Sequence, residues 1–197
     1  MPTADSAAPL LILASASPRR RELLAQIGLA HRAVPAHIDE TRRTGERAEA
    51  CVRRLAREKA AAVYERAGRA AALPVLAADT AVVLDEAWFG KPASETELVA
   101  MLGALSGRVH RVLTAVCLQW AGGVREALST SEVRFRTLSE AEMRAYWRTG
   151  EPRDKAGGYA IQGRAAAFIA ELRGSYSGVM GLPLYETAEL LRAAGIQ

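Results

Sequence analysis

Apolar and polar positions alternate along this chain in two different rhythms. The apolar run Leu10-Leu11-Ile12-Leu13-Ala14 predicts a buried strand. A helix is predicted from Pro18 to Ile27, with Ser17 at the N-cap, Pro18 in the first helical position and Gly28 as terminator. A longer helix is predicted from about Glu46 to Arg66, and Pro74 to Leu84 reads as one or two buried strands with a hairpin at Asp85-Glu86. Ser94 with Glu97, and Ser139 with Glu142, have capping-box spacing; they open helices ending near Gly107 and Trp147. Between them, His110 to Gln119 reads as a strand, and Gly122-Gly123 turns it into another ending near Phe135. A Gly-rich loop covers 150–163, followed by a strand near Phe168 and a last helix from about Pro183 to Ala194. Strands alternating with helices predict an α/β fold.

Composition narrows the class. Half of the 197 residues are hydrophobic, enough for a sizeable core. Leu10–Ala14 is the longest strongly apolar run and is far too short to span a bilayer. The first nine residues lack the basic start and apolar stretch of a secretory signal, and read as a loose tail on one compact domain, 10–197. Cys51 and Cys117 have no metal-ligand spacing and read as reduced thiols of a cytoplasmic protein. The net charge is +4. Its basic residues are scattered, with no run longer than Arg19-Arg20-Arg21 and no stripe with interleaved aromatics, which argues against nucleic acid and for a small phosphate ligand.

Several side chains sit where packing alone does not ask for them. Arg19 and Arg20 fall in the first turn of a helix, where the macrodipole disfavours cations unless an anion is near. Ser15, Ser17, the free N–H groups of that turn and two guanidinium groups would suit a phosphate chain. Arg21 reads as solvated. Lys59 lies within the apolar stripe Val52, Leu55, Ala56, Ala62 and Val63, so its ammonium must snorkel out or meet an anion. Asp79 interrupts an apolar strand and needs a cation, a proton or several donors. By themselves, Asp39 and Glu40 read as a solvated pair, Lys91 as an exposed turn lysine, and His31, His37 and His110 as structural. In the Gly-rich segment, Lys155 offers a charge and Gln162 an amide, while the glycines permit close backbone approach to a ligand.

Taken together, these segments resemble the Maf family of nucleotide pyrophosphatases. The resemblance rests on LILASASPRRRELLAQIGL from Leu11, RLAREKA at 54–60, AADTAVVLD at 77–85, GKP at 90–92, LSGRVHRVLTAV at 105–116, GEPRDKAGGYAIQG at 150–163 and GSYSGVMGLPLYET at 174–187. It implies an elongated α/β structure, with a central mixed sheet, flanking helices and a cleft between two lobes, shared with inosine triphosphate pyrophosphatases. It implies Asp79 as the general base and a metal-binding residue, and phosphate contacts from Ser15, Ser17, Arg19, Arg20, Lys59 and Lys91. Glu40 falls on an acidic position associated with the metal, Mg²⁺ or Mn²⁺. Lys155, Tyr159 and Ile161-Gln162-Gly163 align the chain with members acting on dTTP and UTP, and Arg19 and Thr80 match positions linked to the same choice. The implied reaction releases the monophosphate and pyrophosphate from a nucleoside triphosphate, in a homodimer that binds neither nucleic acid nor membrane. The alternative is a nucleotide-binding regulator of cell division without significant turnover.

Overall fold

The computed structural model describes residues 10–196; the expected N-terminal tail lies outside the described residues. In chain order the elements are β1 (Leu11–Leu13), α1 (Pro18–Gln26), β2 (His31–Ala33), α2 (Ala48–Val63), a π-helical turn at Tyr64–Gly68, α3 (Arg69–Ala71), β3 (Val75–Leu84), β4 (Ala87–Phe89), α4 (Glu95–Leu105), β5 (Val109–Trp120), β6 (Gly123–Phe135), α5 (Glu140–Arg148), three 3₁₀ turns within Glu151–Phe168, β7 (Ile169–Arg173), α6 (Tyr176–Met180) and α7 (Leu184–Ala193). The expected α/β class and mixed sheet are observed. The strand order is β2-β1-β3-β5-β6-β7, with β4 added to β3. β1 pairs in parallel with β2 and β3, whereas β3–β4 and β6–β7 are antiparallel. No helix among the described residues is long and apolar enough to cross a membrane.

Contacts divide the chain into two compact units. Among the described residues, the first comprises 10–79, 114–129 and 181–196; the second comprises 80–113 and 130–180. In the first, Leu11, Ile12, Leu13, Leu24, Leu76 and Leu118 are fully buried, and both cysteines are buried and unpaired. The expected Glu46–Arg66 helix begins two residues later and widens into the π-helical turn at its end. A Cβ on Gly68 there would stand 2.7 Å from the Val75 side chain, so only glycine allows this turn to pack against β3.

In the second unit, α4 and α5 pack around a core that includes Leu98, Leu102, Phe135, Tyr146, Tyr159 and Phe168. Ser139 and Glu142 form the full reciprocal capping box. Ser94 caps α4 by accepting from the Glu97 N–H, but the Glu97 carboxylate accepts from the N–H of Ala93 instead of Ser94, so that box is half formed. β3 turns into β4 through Asp85 at φ 53°, a left-handed conformation that a short polar side chain tolerates.

The Gly-rich segment corrects the sequence reading. It is a succession of 3₁₀ turns, and two of its glycines serve packing. Gly157 and Gly158 are buried at φ +70° and +69°; a Cβ would stand 2.9 Å from Val82 at the first and 2.4 Å from Leu98 at the second. Gly158→Ala is therefore expected to lower unfolding free energy by about 2–4 kcal/mol, combining left-handed strain with overpacking. Urea denaturation measures this, and an unchanged midpoint would contradict the packing role.

Candidate active site

The first unit assembles seven of the residues singled out by sequence, beginning at the end of β1. Ser15 leads into α1, whose Pro18 occupies the first helical position. Ser17 stands at the N-cap, yet its hydroxyl does not cap the helix. Instead its N–H donates to Ser15 Oγ at 3.1 Å, and Arg20 Nη1 donates to the same oxygen at 3.3 Å. A serine hydroxyl accepts two hydrogen bonds and donates one, so the O–H is the further hydrogen-bonding function of Ser15. Arg20 also donates through Nε to the carbonyl of Gly181 at 2.7 Å, which fixes the plane of the guanidinium. Leu23 and Leu24, one turn on from Arg19 and Arg20, are buried, and both arginines are half-buried; Arg21 is exposed as expected. Burial pulls the pKa of Arg20 down against the attraction of Asp79.

Lys59 does not snorkel. It is 6 % exposed, and its Nζ lies 2.7 Å from Asp79 Oδ1 and 3.0 Å from Glu40 Oε2. The helical stripe that buries Val52, Leu55, Ala56 and Val63 delivers this ammonium, and β3, buried from Val75 to Asp79, delivers the carboxylate. Glu40 arrives from the loop between β2 and α2. Arg54 on α2 holds that loop by donating to Glu46 at 2.7 Å and to the carbonyl of Thr41 at 3.2 Å. The Arg54 hydrogen bond pulls the Glu46 pKa down to about 2. Glu40 is thus one side of an ion pair rather than a free surface acid.

Burial raises the pKa of Asp79, outweighing the opposing charge and hydrogen bond of Lys59 and the charge of Arg20, while Glu40 adds to the rise. A carboxylate destabilised in this way takes up a proton more readily than an ordinary aspartate. The arrangement therefore holds a basic carboxylate, a buried ammonium and a helix N-terminus with a bound arginine, all suited to phosphate chemistry.

The other four candidates lie in the second unit. Thr80 follows Asp79 on β3 and is half-buried, while Lys91 is exposed in the turn before α4. The Gly157 N–H donates to the carbonyl of Gly90 at 2.9 Å, tying the Lys91 turn to the late segment. Lys155 pairs with Asp154, and Gln162 is exposed on a turn whose neighbours Ala160 and Ile161 are buried. Sequence reasoning missed the Tyr146–Glu151 pair that supports this turn, while His110 is structural, as expected. Tyr146 donates to Glu151 Oε1 at 2.6 Å, and His110 Nε2 lies 2.8 Å from the Tyr159 hydroxyl. Tyr146 was legible only as an apolar-face residue of its helix, four positions from Glu142.

Among the described residues, no three His, Cys, Asp or Glu side chains converge as a ready-made metal cage. Asp79 and Glu40 do converge on one cation, Lys59. Two carboxylates are the number that commonly holds Mg²⁺ in nucleotide sites, where substrate and water complete the shell.

The model of the family described as Maf-like protein matches residues 10–194. A dTTP/UTP pyrophosphatase of Methylococcus capsulatus is 56 % identical over 186 residues, covering 94 % of this chain and 91 % of that protein. A dTTP/UTP pyrophosphatase of Bordetella parapertussis is 53 % identical over 95 % of this chain and 94 % of its own length. The protein of the same name from Methylobacillus flagellatus is 52 % identical, over 94 % and 93 % respectively.

Proposed function

Since the chain belongs to the Maf-like protein family, we propose that it hydrolyses dTTP and UTP to the nucleoside monophosphate and pyrophosphate. The observation that carries the chemistry is the buried Lys59–Asp79 pair, with Asp79 held more basic than an ordinary aspartate. In the reaction, water attacks the α-phosphorus and the bond to the bridging oxygen breaks, so pyrophosphate leaves with that oxygen. Asp79 accepts the proton of the attacking water. Ser15 and Ser17, the first turn of α1 and the Arg19–Arg20 pair receive phosphate oxygens, with the Arg20 guanidinium already aligned by Gly181. Lys59 exchanges a carboxylate for phosphate and neutralises charge developing on the leaving group.

Glu40 and Asp79 would hold a Mg²⁺ or Mn²⁺ ion, which supplies charge neutralisation and lowers the pKa of a bound water. Lys91 and Lys155 supply further positive charge for the phosphates. Thr80 and Gln162 read the base; an amide offers both a donor and an acceptor to the edge of uracil or thymine. Two unpaired, buried cysteines and a nucleotide substrate suit the cytoplasm, and the family resemblance supports a homodimer.

The test is a panel of nucleoside triphosphates with Mg²⁺ and with Mn²⁺, scoring pyrophosphate against phosphate. dTTP and UTP are expected to exceed ATP, GTP and 7-methyl-GTP in kcat/KM, with pyrophosphate as product. Tight nucleotide binding without steady pyrophosphate release would instead favour the regulatory alternative.

A further inference from the structure

The turn that carries Gln162 is held at both ends by one carboxylate. At its start, the buried N–H of Ala160 donates to the Tyr146 hydroxyl at 3.2 Å, and that hydroxyl donates in turn to Glu151 Oε1 at 2.6 Å. At its end, the N–H of Arg164 donates to Glu151 Oε2 at 3.0 Å. The turn closes internally through the Gly163 N–H, which donates to the carbonyl of Ala160 at 3.0 Å. Glu151 is itself fixed, since its N–H donates to Thr149 Oγ1 at 3.2 Å and the next residue, Pro152, is buried. Gly163 makes the approach possible: a Cβ there would stand 2.4 Å from the Glu151 carboxylate.

From this geometry we propose that Glu151 and Tyr146 are positioning residues for base recognition, holding the 160–164 turn so that the Gln162 amide is presented in one orientation. The proposal rests on the reading of Gln162 as the base-contacting amide. Gln162 is the exposed residue of a turn flanked by buried Ala160 and Ile161, so its backbone is fixed while its side chain projects. An amide that must be ordered on binding costs affinity, and a turn ordered beforehand removes that cost. Tyr146 is 3 % exposed, and burial together with the Glu151 hydrogen bond raises its pKa, so the hydroxyl keeps the proton it donates.

The experiment compares wild type, Tyr146→Phe, Gly163→Ala, Gln162→Ala and the double variant Tyr146→Phe/Gln162→Ala. kcat and KM are measured for dTTP and for ATP, with melting temperature as the check on folding. Tyr146→Phe removes the link between Ala160 and Glu151 at nearly constant volume, and Gly163→Ala displaces the carboxylate from the other side. Each is expected to raise KM for dTTP by roughly three- to tenfold, the worth of one ordinary hydrogen bond, with kcat and the ATP constants little changed. In the Gln162→Ala background, Tyr146→Phe should leave the dTTP-to-ATP ratio where it was. A ratio lowered by Gln162→Ala but by neither clamp variant overturns the proposal, as does an equal loss for both nucleotides. A ratio untouched by Gln162→Ala overturns the base-reading role of Gln162 itself, and the proposal falls with it.

Discussion

Asp79→Asn is expected to lower kcat by about 10²–10⁴-fold while dTTP still binds, because the amide cannot take a proton from water. The same change removes the buried carboxylate partner of Lys59, and whatever stability it costs should shrink as pH rises. The folded-state pKa of Asp79 lies above its unfolded value, burial being the main cause. Between those two pKa values the folded protein holds a proton that the unfolded chain has released, so stability falls as pH rises through that window. Above the window, the folded state carries an ionised carboxylate at a cost, which a neutral amide removes. Turnover and thermal melting of one purified variant check both halves. Near-wild-type turnover would remove Asp79 from the mechanism.

Lys59→Met is expected to abolish most activity and to destabilise the protein at neutral pH, with a pH trend opposite to that of Asp79→Asn. Methionine suits the apolar stripe of α2, but it leaves Asp79 buried beside Glu40 without the ammonium between them. Breaking a buried pair by removing one partner costs about 3 kcal/mol or more. Losing Lys59 pushes the Asp79 pKa further up, so the stability lost should grow as pH rises. Melting curves at pH 5 and pH 8 are expected to show the larger gap from wild type at pH 8. Adding Asp79→Asn to Lys59→Met should restore stability without restoring turnover. An equal gap at both pH values would show that Lys59 contributes by packing alone.

Periodicity made the placement of Lys59 legible, since a lysine inside an apolar stripe has only two physical outcomes. It could not choose between them, because both of its partners come from distant parts of the chain. Asp79 was legible in the same way, as a charge interrupting a buried strand. Short-range chemistry also predicted the Ser139–Glu142 box, which needs nothing beyond four residues of helix. The three-residue strand β2 was not legible: His31-Arg32-Ala33 has no apolar rhythm, and it becomes a strand by pairing with β1. Glycine density in the late segment suggested approach to a ligand, whereas Gly157 and Gly158 answer to Val82 and Leu98, neighbours that only the folded chain supplies. Glu151 went unnoticed for a similar reason. Its role depends on the Tyr146 hydroxyl, the N–H of Arg164 and the missing Cβ of Gly163, a combination that no local pattern announces.

The two buried thiols turn the protein into its own reporter of opening. Burial lifts the Cys51 pKa to about 11 and that of Cys117 to about 12, so at neutral pH neither offers an appreciable thiolate in the folded state. An alkylating reagent must wait until a fluctuation exposes them. Both belong to the unit that holds Asp79 and Lys59. When opening and reclosing are fast relative to alkylation, the labelling rate therefore measures the fraction of time that unit spends open. A nucleotide bound by those residues should slow alkylation in proportion to its occupancy, giving a measure of binding that needs neither turnover nor a labelled ligand.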